Sequence, residues 1–105
     1  MIVVLLERVS PSLRGELSRW LVEPRSGVFV GNTSAMVRDK LWEMVCSRLR
    51  RAAKLDGGAI MLWSTNNEQG FAIKTYGRTD RQLVDYDGLM LVLKPAPAAV
   101  EDRER

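Results

Sequence analysis

One hundred and five residues are enough for one domain around one core. Lys and Arg number 16 against 13 Asp and Glu, a formal charge of +3 with a pI near 9.4, and 46% of the chain is hydrophobic. There is no histidine and Cys46 is the single cysteine, which excludes His-based acid–base catalysis, Ser-His and Cys-His dyads, thiolate metal clusters and an internal disulfide.

The chain opens on "MIVVLL", which Glu7 and Arg8 interrupt too soon for a signal peptide or a membrane span, so the cytoplasm is the default location. Ile2 to Leu6 is β-branched and continuously apolar, as a central strand is. Ser10 as N-cap and Pro11 at the first helical position then predict a helix start. Leu13, Leu17, Trp20 and Leu21 follow at three- and four-residue spacing and give the helix an apolar face, and Pro24 ends it. Val28 to Val30, between Gly27 and Gly31, read as a short strand, and Gly31-Asn32-Thr33-Ser34 as a turn that caps the next helix. That helix spans about Ala35 to Ala53, with Val37, Leu41, Val45, Leu49 and Ala52 on one stripe and Asp56-Gly57-Gly58 as its stop.

Ala59 to Thr65 and Gly70 to Gly77 predict a hairpin closed by Asn66-Asn67-Glu68-Gln69. A polar loop, "RTDRQ", precedes a last strand from Gly88 to Leu93, which Pro95 and Pro97 terminate. Residues 1–94 therefore form one domain, and residues 95–105, poor in bulky apolar side chains and net acidic, form a disordered tail. The element order predicts a ferredoxin-like α+β sandwich: a mainly antiparallel sheet with two helices on one face. That fold wants two strands between its helices, whereas residues 25 to 31 hold one good strand or two very short ones.

The second helix carries Arg38, Lys40, Arg48, Arg50, Arg51 and Lys54 against only Asp39 and Glu43. Arg14 and Arg19 on the first helix, with Arg78 and Arg81 in the late loop, extend the same sign of charge. Clustered arginines without interleaved aromatics suit phosphate-backbone contact rather than base reading, and Trp20, Trp42 and Trp63 sit within apolar patterns as core residues. Glu7 at the end of the first strand, Glu68 in the hairpin turn, and Asp85 and Asp87 before the last strand are the carboxylates that a Mg²⁺-dependent nuclease would use; solvated strand ends are the plainer reading. "GLMLVLKP" is apolar on both faces, a hazard at a sheet edge, which predicts a homodimer with this strand exchanged or packed across the interface.

"LRGELSRWLVEPRSGVFVG", "S-A-x-V-R-x-x-L-W-E", "TNNEQGFAIKTYG" and "VDYDGLMLV" together resemble CRISPR-associated protein 2 of subtype I-E, over about residues 2 to 93. The resemblance implies a ferredoxin-like homodimer with no cofactor of its own. Such a dimer lies at the centre of the spacer-acquisition complex, between two dimers of the integrase, CRISPR-associated protein 1, with double-stranded prespacer DNA held across it by the backbone. It places Arg14, Arg38 and Arg81 at phosphate-contact positions, with Arg78 as a substitute for the basic residue missing at Asp80; Ser12 and Met36 also stand where a basic residue can occur. Glu7, Glu68 and Asp87 match acidic positions of a possible nuclease site, with Glu7 the candidate metal ligand. The segment after Gly88, with Leu89, Leu91 and Leu93, matches the part that pairs across the dimer and reaches the integrase. A metal-dependent endonuclease using Glu7 with Asp87 is the alternative reading, and a sheet-type RNA-binding module a third.

Overall fold

Alternation decides which side of β1 (Ile2–Glu7) meets the core: Ile2, Val4 and Leu6 are buried, while Val3 and Leu5 are half-buried on the other face. The computed structural model describes residues 1–79, 82–86 and 89–93. The chain leaves β1 through Arg8, a non-glycine residue with φ 56°, and enters α1 (Pro11–Leu17), where the Ser10 hydroxyl accepts from the Leu13 N–H at 3.2 Å.

Helix α1 stops at Leu17, well before Pro24, and a tight turn follows in which the N–H groups of Trp20 and Leu21 both reach the Leu17 carbonyl. The turn carries Leu21 into the core and leaves Trp20 54% exposed, so Trp20 is not the core residue that its spacing predicts. Pro24 lies inside β2 (Val22–Arg25), an edge strand, where a missing N–H costs no ladder bond. With β3 (Val28–Gly31), the interhelical stretch supplies two four-residue strands, as the fold requires.

The glycines around β3 have separate reasons. Gly27 adopts φ +82° and packs on β1, where the Leu6 N–H donates to its carbonyl at 2.8 Å; a Cβ there would stand 2.7 Å from the Leu6 carbonyl oxygen. Gly31 leaves room for Leu21, whose Cδ2 would lie 2.8 Å from an added Cβ.

Helix α2 (Ala35–Arg51) is capped by the Ser34 hydroxyl, which accepts from the Val37 N–H, and buries Leu41, Val45 and Leu49. A 3₁₀ turn over Ala53–Leu55 follows, and Asp56, left-handed at φ 54°, turns the chain into β4 (Gly58–Ser64). Strand β5 (Phe71–Gly77) completes the hairpin. A strand absent from the sequence reading, β6 (Gln82–Tyr86), pairs antiparallel with β7 (Leu89–Leu93) as a separate two-stranded sheet. The tail beyond Leu93 lies outside the described residues.

The main sheet has the order β2-β3-β1-β4-β5 with every neighbouring pair antiparallel, the ferredoxin-like arrangement with β5 added at one edge. One face carries the row Phe29–Val4–Met61, and the buried residues of both helices join it in a single core. The other face is apolar as well. Val22, Val30, Val3, Leu62 and Ile73 form one row across all five strands, and Val28, Leu5 and Ile60 a second.

Candidate functional site

The direction of β1 sorts the charged residues into two groups. Glu7 pairs with Gly58 at the start of β4, whereas Glu68 follows the other end of that strand. Strand β4 is seven residues long, which separates its ends by about 20 Å at ~3.3 Å per residue. Within one chain the two carboxylates therefore do not share a site, and Asp87 lies outside the described residues. Glu7 stands beside Arg8, with 3.6 Å between carboxylate and guanidinium, at the mouth of a cleft of about 280 Å³ lined by Leu5, Gly27, Val28 and Ile60. Among the described residues no three acidic or cysteine side chains gather as metal ligands.

The arginines are more closely engaged than their spacing implies. At the Glu7 end, Arg8 ties three segments together: Nε donates to the Asp56 carbonyl at 2.8 Å and a terminal nitrogen to the Arg78 carbonyl at 2.7 Å. Arg78 in turn meets the Asp56 carboxylate at 2.9 Å, and its N–H donates to the Gly57 carbonyl. Arg14 lies 3.3 Å from Glu23, whose carboxylate also accepts from the Gly27 N–H, so this pair fixes the β2–β3 turn. Arg48 donates to the Ser12 hydroxyl at 2.7 Å and joins the two helices. Lys40, Arg50 and Arg51 on α2, and Lys54 in the 3₁₀ turn after it, remain exposed. Arg81 lies outside the described residues.

Arg38 belongs to the opposite end. It pairs with Asp39 at 3.1 Å and lies over the ring of Trp63, 4.5 Å from its centroid. Lys74 reaches the same ring at 5.8 Å. The sequence reading missed Arg8 and Lys74. The signal for Lys74 is parity: in "FAIKTYG" it falls between Ala72 and Tyr76, opposite Met61, on the helix-bearing side of an edge strand.

Leu89, Leu91 and Leu93 share one face of β7, at register positions opposite Tyr86, Val84 and Gln82. Cys46 is half-buried on α2, and burial pushes its thiol up against the opposing pull of Arg50 and Lys74, so it is a packing residue rather than a nucleophile. No helix among the described residues is long and apolar enough to cross a membrane. A family model described as CRISPR-associated protein (Cas_Cas2CT1978) matches residues 1–91.

Proposed function

We propose that this chain, which belongs to the CRISPR-associated protein 2 family, is a non-catalytic dimeric adaptor of spacer acquisition in the cytoplasm, of the subtype I-E kind. It holds double-stranded prespacer DNA by its backbone and bridges two dimers of the integrase, CRISPR-associated protein 1. The observation that carries this reading is the contrast between charges: Lys40, Arg50 and Arg51 stand exposed on α2 and Lys54 in the turn after it, while Glu7 and Glu68 belong to opposite ends of β4, a strand about 20 Å long at ~3.3 Å per residue. Lys40 and Arg51 are eleven residues apart on α2, about 16 Å at ~1.5 Å per residue, so these cations contact phosphates along about five base pairs at ~3.4 Å per step, which fixes a duplex without reading its sequence.

The second apolar face of the sheet supports the dimer, because a soluble chain covers a continuous apolar surface with a partner. Strand β7 is already paired on one edge by β6; in the dimer its other edge pairs across the interface, and Leu89, Leu91 and Leu93 extend towards the integrase by strand addition.

Glu7→Ala separates the adaptor from the Mg²⁺-dependent endonuclease. Spacer acquisition measured in cells carrying the integrase is expected to stay at the wild-type level. Loss of acquisition by a variant that remains dimeric and still binds DNA would favour the enzyme.

A further inference from the structure

Trp63 carries two cations from two different elements, an arrangement that core packing does not require. Arg38 comes from α2 and lies 4.5 Å from the ring centroid; Lys74 comes from β5 and lies 5.8 Å away. The Arg38 side chain is only 22% exposed, so its head is held in place rather than sweeping through solvent. Among the described residues its carboxylate partner is Asp39, itself 59% exposed. Among the described residues Lys74 has no acidic partner, so the cluster keeps a net positive charge.

We propose that Arg38 and Lys74, oriented by Trp63, form a phosphate clamp for duplex DNA, and that Asp39 is its built-in competitor. This rests on the backbone-binding reading above and adds to it Lys74 as a contact, Trp63 as a positioning residue and Asp39 as a brake. The aromatic face attracts both cations and fixes where they point, which lowers the ordering cost of a phosphate contact. The Asp39 carboxylate occupies the guanidinium edge that a phosphate oxygen would take, so DNA must displace it. Because the Asp39 carboxylate is the exposed member of that ion pair, solvent takes it up and displacement is cheap.

The test is fluorescence anisotropy of a labelled duplex of arbitrary sequence, titrated with the full chain at several salt concentrations. Lys74→Ala is expected to weaken binding and to reduce the slope of log affinity against log salt by about one unit, the signature of one lost phosphate. Trp63→Leu should weaken binding about two- to fivefold while Trp63→Phe, which keeps a ring, stays near wild type. Asp39→Asn should tighten binding by about two- to fivefold. Lys74 and Asp39 are exposed, so both variants keep the fold, and thermal melting checks the Trp63 pair. If the chain binds duplex but Lys74→Ala leaves the slope unchanged and Asp39→Asn does not tighten binding, the clamp is wrong and the adaptor reading stands. If the unaltered chain binds no duplex at micromolar concentration, both fall.

Discussion

Phe29→Ala is expected to remove about 3–5 kcal/mol of stability, most of what a domain of this size possesses. The ring is fully buried in β3, facing Val4 across the ladder in the row that both helices cover. Truncation removes its transfer free energy and leaves a cavity that the sheet cannot close, because Gly27 and Gly31 on either side already sit against Leu6 and Leu21. At about 4–8 °C per kcal/mol, the melting temperature should fall by roughly 12–40 °C. Trp20→Ala is the contrast: with its side chain more than half exposed, it should cost about 1 kcal/mol or less. Urea unfolding of both variants measures the difference, and similar losses would mean that Trp20 carries part of the core.

Ending the chain after Asp87 is expected to abolish both co-purification with the integrase and spacer acquisition, whereas ending it after Lys94 should preserve both. The chain ending at Asp87 lacks β7 and leaves the backbone of β6 without its partner. It also takes away Leu89, Leu91 and Leu93, the apolar contacts that strand addition to a partner needs. The segment from Ala96 to Arg105 holds no side chain larger than Val100 before its charged end, so ending the chain after Lys94 removes nothing of comparable area. Light scattering on both proteins shows whether the dimer persists. A chain ending at Asp87 that stays dimeric and still captures the integrase would place the docking surface elsewhere.

Helix starts were legible because capping is local: Ser10 and Ser34 each hold an N–H three residues on. The end of α1 was not. Leu17, Trp20 and Leu21 keep helical spacing, yet the turn after Leu17 satisfies the same offsets with bonds back to one carbonyl. Strand β2 was hidden by Pro24, tolerated only because the strand is at an edge, a fact of topology. Strand β6 was hidden because "QLVDY" becomes a strand only with β7 beside it.

For the candidate site, the one-signed charge of α2 could be read directly, but the neutralisation of the arginines outside that helix could not. Asp39 adjoins Arg38 in sequence, whereas Glu23 reaches Arg14, and Asp56 reaches Arg78, through the fold alone. The meeting of Arg38, Trp63 and Lys74 depends on the β4–β5 register together with the docking of α2, and no local pattern announces it.

Sedimentation velocity of a labelled prespacer duplex, mixed with the integrase in the presence and absence of this chain, tests the bridging role most directly. The expected result is one faster species that contains the intact duplex and both proteins, and that forms only when both are present. A duplex that sediments with the integrase identically whether or not this chain is added would contradict it.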